Sequence, residues 1–207
     1  MRKNTKKKTR PRLRRVARAA LPTRYGRFTI FAFEGGTPGE EAIALVHGRI
    51  KRRGAPLVRV HSQCLTGDVL SSIRCDCRAQ LELALEKISR APAGVLVYLP
   101  QEGRGIGLMN KLRAYELQDR GLDTVEANES LGFAADSREY GLPAEILKSL
   151  GVRRIRLLSN NPEKVRQLEE AGVKVVERVP CQPPVPKSSR AYLQVKKTKM
   201  GHMLKGF

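Results

Sequence analysis

Polar and apolar positions alternate along RFTIFAF (27–33), and EAIALVH (41–47) runs largely apolar. Both patterns predict strands, joined by the turn-rich GGTPGE. LVRVH (57–61) predicts a third strand. AQLELALEKIS (79–89) changes period: apolar residues fall at 81, 85 and 88 with charges between them, the spacing of a helix. GVLVYL (94–99) is an unbroken apolar run and predicts a buried strand. LMNKLRAYELQDRG (108–121) then predicts an amphipathic helix ending at Gly121. The second half continues the alternation. PAEILKSLG (143–151) predicts a helix, RIRLL (154–158) a strand, PEKVRQLEEAG (162–172) a helix and VKVVE (173–177) a strand. Asn161 is the expected N-cap of the second of these helices, Pro162 its first residue and Gly172 its C-terminal stop. CQPPVPKSS (181–189) reads as irregular, and AYLQVKKTKMGHML (191–204) as a final helix. The expected fold class is α/β: a mixed sheet with antiparallel strands in front and βα units behind.

Composition adds limits. With 207 residues and 41 % apolar side chains, one domain with a proper core is expected. No apolar run approaches eighteen residues, so no transmembrane helix is expected. The basic N-terminus is not followed by the apolar stretch of a secretory signal, which makes the cytoplasm the expected location. The net charge is +20. Ten of the 40 Lys and Arg lie in the first twenty residues, without an acid among them. That block divides the chain into a basic, disordered tail (1–22) and a folded domain (23–207). The other 30 basic residues still outnumber the 20 acids, which suits an anionic ligand such as a nucleotide. Nucleic acid enters only as a polyanion that the tail could hold.

The candidate chemistry starts with CLTGDVLSSIRCDC (64–77), where three of the four cysteines cluster. In a reducing compartment such a cluster points to metal ligation or a reactive thiol rather than to disulfides. Three thiolates suit zinc, and a three-ligand site with an open fourth position is the catalytic pattern. A closed site completed by Cys181, a His or an Asp remains open on spacing alone, as do inert reduced thiols. QEGRGIG (101–107) and SNNPEK (159–164) each join a strand to a helix start, where backbone N–H groups favour anions. Arg104, Ser159 and Lys164 could add to such sites, or the loops could be plain turns. Glu102 is out of place in a phosphate loop but matches the adjacent donors of guanine. Two such loops at strand carboxyl ends suggest one shared crevice. Asp136 and Arg138 lie two apart in FAADSREYG (133–141) and read either as site residues or as an exposed ion pair.

These stretches together resemble a known family. RVHSQCLTGDVLSSIRCDC, LPQEGRGIGLMNKLRAYELQDRGLDTVEAN, LGFAADSREYG and LLSNNPEKVRQLEEAGVKVVERVP are similar, in order, to GTP cyclohydrolase II over roughly residues 25–205. The resemblance implies an α/β enzyme, usually a homodimer, that serves riboflavin biosynthesis. Such enzymes convert GTP to 2,5-diamino-6-ribosylamino-4(3H)-pyrimidinone 5′-phosphate with release of formate and pyrophosphate. It implies Cys64, Cys75 and Cys77 as ligands of one catalytic zinc per subunit, with Mg2+ assisting at the triphosphate. Tyr115 matches the tyrosine near ring opening, Asp136 the proton acceptor and Arg138 the residue acting at the α-phosphorus. Arg59, Val60, His61, Ser62, Gln63, Gln80, Glu102, Gly103, Arg104, Thr124, Ser159 and Lys164 match the GTP-contacting positions. The chain departs from the family's habit at Gln63 (usually Glu), Arg78 (often Gly), Ser159 (usually Thr) and Val195 (Thr), and in the Pro- and Ser-containing stretch before Tyr192. Two alternatives stand beside this implication: a paralogue serving a specialised pathway or stopping at the formamide, and a zinc-stabilised nucleic-acid-binding protein.

Overall fold

In the computed structural model, residues 13–35, 37, 39–50, 54–184 and 189–206 are described. Among these residues, seven strands form one sheet: β1 (Arg14–Thr23), β2 (Gly26–Glu34), β3 (Glu41–Gly48), β4 (Leu57–Ser62), β5 (Ala93–Leu99), β6 (Arg154–Leu158) and β7 (Lys174–Val179). Six α-helices among them accompany the sheet: α1 (Cys77–Arg90), α2 (Leu108–Asp119), α3 (Thr124–Ser130), α4 (Gly141–Ser149), α5 (Pro162–Glu170) and α6 (Arg190–Thr198). The spatial order is β1-β2-β3-β5-β4-β6-β7. The pairs from β1 through β3 to β5 are antiparallel, and those linking β5, β4, β6 and β7 are parallel. This is the mixed sheet that the hydrophobic pattern implies.

Each parallel connection needs a crossover, and the helices supply it. α1 returns the chain from β4 to β5, α4 precedes β6, and α5 links β6 to β7. The two faces of the sheet bury separate clusters. Val58, Val60, Val95, Val97, Ile155 and Leu157 pack with Ile146 and Leu147 of α4 and Leu168 of α5. Leu57, Leu96 and Leu158 pack with Ala84 and Ile88 of α1. α1 lies so close to the sheet that a Cβ on Gly94 would meet Ile88 Cγ2 and the Leu57 carbonyl, each at 2.8 Å.

Two expectations change. The tail drawn at 1–22 ends earlier, because Arg14–Thr23 is strand β1, antiparallel to β2. Its side chains are exposed over most of its length, so no alternation marks it. Its positive charge is absorbed locally: Arg14 pairs with Glu34, and Arg15 and Arg18 both stand 5.7 Å from the Phe31 ring centre. Residues 1–12 lie outside the described residues, as do 185–188 of the Pro-rich stretch. The last helix also ends early, at Thr198, ahead of Gly201 in the left-handed region at φ 63°. α3 was not expected. It is short, but Asp123 and Glu126 form a reciprocal capping box at its start.

Candidate active site

β4, β5 and β6 are parallel, so the segments that follow their carboxyl ends gather at one edge of the sheet. They open onto one cavity of about 480 Å3, the size of a small-ligand pocket. Alternation along β4 decides which of its residues arrive there. Arg59 and His61 line the cavity, whereas the Val60 side chain points to the opposite face and joins the core with Val58. Of the expected nucleotide contacts, Val60 therefore offers only its carbonyl, which accepts from Lys164 Nζ at 2.8 Å. His61 is almost fully buried and bonds Asp68 through Nε2 at 3.0 Å, and burial lowers its pKa despite that partner. Asp68 also accepts from the Tyr98 hydroxyl and the Cys64 backbone N–H, both at 3.0 Å, so it braces the cysteine loop.

The thiols of Cys64, Cys75 and Cys77 converge, with all three Sγ atoms within 4.8 Å of one another. Cys64 and Cys75 are 3.7 Å apart. Two sulfurs on one tetrahedral zinc with bonds of about 2.3 Å would stand about 3.8 Å apart, so the triad fits such an ion. Gly67 makes room for it: a Cβ there would meet Cys75 Sγ at 3.1 Å and Cys64 Sγ at 3.2 Å. Cys181 stands elsewhere, with its Sγ on the Gln80 carbonyl at 3.8 Å, so it does not close the site. Hydrogen bonds from Cys75 and Cys77, helped by Lys111, hold the Cys64 thiol far below the usual range, while sharing with Cys64 pushes Cys75 up to about 11.

Lys111 was missed in the sequence. Its Nζ donates to Cys64 Sγ (3.1 Å), Thr66 Oγ1 (2.9 Å) and Glu102 Oε1 (2.7 Å). Thr66 in turn bonds the Tyr115 hydroxyl at 3.2 Å. The available signal was spacing: Lys111 and Tyr115 are four apart on α2 and share a face. Glu102 is fastened too, accepting from the Leu65 N–H (2.6 Å) and the Gly103 N–H (2.9 Å) besides Lys111. It ties the cysteine loop to the 101–107 loop rather than standing free for a base. That second loop is strained, since Arg104 is non-glycine at φ 61°.

The other end of the cavity is cationic. Arg59, Arg104, Arg138 and Lys164 line it. Arg59 Nε and one terminal nitrogen of Arg104 are buried without partners among the described residues. Burial, with Arg59 and Arg138 nearby, pushes the Lys164 ammonium well below its usual range. Donors so placed lack an anion. Asp136 does not line the cavity; both its oxygens take the Arg138 guanidinium. That pairing outweighs burial and keeps Asp136 ionised, while Arg138 is raised further. Ser159 Oγ accepts from the Asn161 N–H at 3.1 Å, and Asn161 caps α5 as expected. Ser62, Gln63, Gln80, Glu102, Gly103, Thr124, Ser159 and Tyr115 complete the expected residues that the cavity gathers.

A buried chain of contacts supports both ends. Arg59 donates to Gln80 (2.6 Å), Gln80 donates to Asp76, and Asp76 accepts from Lys196 of α6 at 2.9 Å. Asp76 sits between two of the thiols in sequence. Nothing near Lys196 in the sequence points to it.

A thiol triad fit for zinc beside a cavity lined by cations, at the carboxyl edge of a mixed sheet, defines an α/β protein with a site able to hold a metal ion and an anion. A family model described as GTP cyclohydrolase II matches residues 14–180, and the chain belongs to that family. Riboflavin biosynthesis protein RibBA of Aquifex aeolicus is 56 % identical over 190 residues, covering 91 % of this chain and 47 % of that protein. RibBA of Bacillus cytotoxicus is 54 % identical over 184 residues, covering 89 % and 46 %. The chain thus spans about half the length of these relatives. GTP cyclohydrolase-2 of Buchnera aphidicola is 52 % identical over 189 residues, covering 91 % of this chain and 97 % of that one. No helix among the described residues is long and apolar enough to cross a membrane.

Proposed function

We propose that this protein is a GTP cyclohydrolase II, opening the guanine imidazole ring of GTP by hydrolysis with release of formate and pyrophosphate, for riboflavin biosynthesis. One observation carries the reading: a single cavity has the thiol triad at one end and, at the other, a group of cations of which Arg59 and Arg104 each keep a buried nitrogen without a partner among the described residues. A nucleoside triphosphate has the matching polarity, with a base to be attacked and a polyanion to be held.

Arg59, Arg104 and Lys164 hold the phosphates, and an anion arriving there opposes the burial that lowers the Lys164 pKa. Cys64, Cys75 and Cys77 hold zinc, with Lys111 donating to Cys64 to steady the thiolate. Bound zinc supplies Lewis-acid activation of water near neutral pH. Tyr115 keeps its proton at neutral pH, because burial raises its pKa, and so places a hydroxyl beside the triad. Asp136 is ionised, and with both oxygens on the Arg138 guanidinium it serves to hold that group in place rather than to take a proton. Arg138, fixed by Asp136, stabilises charge at the α-phosphate as pyrophosphate leaves; a guanidinium so firmly protonated is a poor nucleophile. A magnesium ion travels with the triphosphate, as hard cations commonly do. We further propose a cytoplasmic homodimer; Val69, Leu70 and Ile73, exposed in one short loop, offer apolar surface for the partner copy.

The test is direct. Incubate the protein with GTP, Mg2+ and zinc, and follow formate, pyrophosphate and the ultraviolet spectrum. Stoichiometric formate and pyrophosphate are expected. Zinc-replete protein that leaves GTP intact would overturn the proposal.

A further inference from the structure

The chain from α6 onward lies beyond the region matched to the family, yet it walls the cavity, and its last contribution is His202. The ring is held in place by its own backbone. The His202 N–H donates to the Lys196 carbonyl at 3.0 Å, and the Met203 N–H to the Asn160 carbonyl at 2.9 Å. The second bond pins this segment to the turn between β6 and α5, the turn that carries Ser159 and leads to Lys164. Nε2 of His202 is buried and has no hydrogen-bond partner among the described residues. The charged groups that act on it most strongly are cations, Lys196 of α6, Arg138, Lys164 of α5 and Arg104 of the 101–107 loop, the first two of them paired with Asp76 and Asp136. A buried polar atom without a partner is costly, and one among four cations is suited to an anion.

We propose that His202 is a further substrate-contacting residue, whose Nε2 hydrogen-bonds the phosphate end of the nucleotide and which takes up one proton from solvent when that anion binds. Burial and the four cations hold the free imidazole neutral, its pKa pushed down to about 3. A polyphosphate cancels the cations' repulsion, so the protonated ring becomes the stable form and a charge-assisted donor. The choice of ligand rests on the nucleotide reading above, but the contact itself is to phosphate and can be probed without GTP.

The chain has three histidines, so ring nitrogens are readily resolved by nuclear magnetic resonance. Titrate the full-length, metal-loaded protein with inorganic pyrophosphate at neutral pH. The His202 ring is expected to move from the neutral to the protonated pattern, while His61, bound to Asp68, stays as it was. His202→Gln assigns the signal. It is expected to weaken pyrophosphate binding about 10- to 100-fold, the range for a hydrogen bond to a charged group. It should also remove about one proton of uptake, read by calorimetry in buffers of different ionisation enthalpy. Three results would each overturn the proposal: no pyrophosphate binding, an unmoved His202 signal at saturation, or equal affinity and proton uptake in the variant. Wild-type resonance data decide the matter even where the variant fails to fold. Pyrophosphate that shifts His202 in a protein inert towards GTP would sink the cyclohydrolase reading and leave this inference standing.

Discussion

Lys196→Met removes one half of an ion pair that is nearly closed to solvent, with side-chain exposures of 10 % for Lys196 and 4 % for Asp76. Asp76 keeps only the Gln80 amide as a side-chain partner. Stranding a buried charge in this way costs about 3–5 kcal/mol, whereas an exposed pair is worth about 0–1 kcal/mol. For a chain of 207 residues, each kcal/mol moves Tm by about 2–4 °C, so a fall of about 6–20 °C is expected. Thermal unfolding by circular dichroism measures it. The pH dependence has a definite sign. In the native protein burial raises the Asp76 pKa, but Lys196 outweighs it and the net shift is downward. The pair's contribution is therefore complete above the unfolded carboxyl value of about 3.9 and is lost as pH falls through the folded one. In the variant burial, the largest influence, is opposed only by the Gln80 and backbone hydrogen bonds and the shift should reverse, so the deficit should shrink between pH 7 and pH 4. Asp76→Asn/Lys196→Met, with both charges gone, should recover much of the loss. A single-variant shift under about 2 °C, or additive costs in the double variant, would refute this account.

Three shorter predictions follow from the same geometry. Lys111→Met removes the donor to Cys64 and should weaken zinc retention about 10- to 100-fold in chelator competition, with circular dichroism unchanged. Gly67→Ala places a methyl 3.1–3.3 Å from Cys75, Cys64 and Cys77, and should weaken zinc binding about tenfold, since a ligand set tolerates shifts of only about 0.2 Å. Val60→Ala should cost about 2 kcal/mol in urea unfolding and leave the KM for GTP unchanged, because the side chain sits in the core behind the site.

Much of this arrangement is legible locally. Alternation, short apolar runs and the change to a period of 3.6 place every strand from β2 to β7, and Asn161-Pro162 marks the start of α5, because these signals act between neighbours in the chain. Strand β1 is not legible, since its side chains face solvent and carry no alternation. Clustered thiols and two loops at strand ends announce a metal and an anion; the family resemblance supplies their chemistry.

The sequence by itself determined most of the elements, the mixed α/β class and the residue types gathered at the candidate site. Only the tertiary structure decided which of them meet. It turned Val60 into the core while Arg59 and His61 face the cavity, because a strand shows alternate residues to opposite faces. It spent Glu102 on Lys111 and two backbone N–H groups. It also brought Lys196 to Asp76 across 120 residues of chain, and His202 to the cation cluster. Buried charges find partners through space, and no local pattern records which partner that will be.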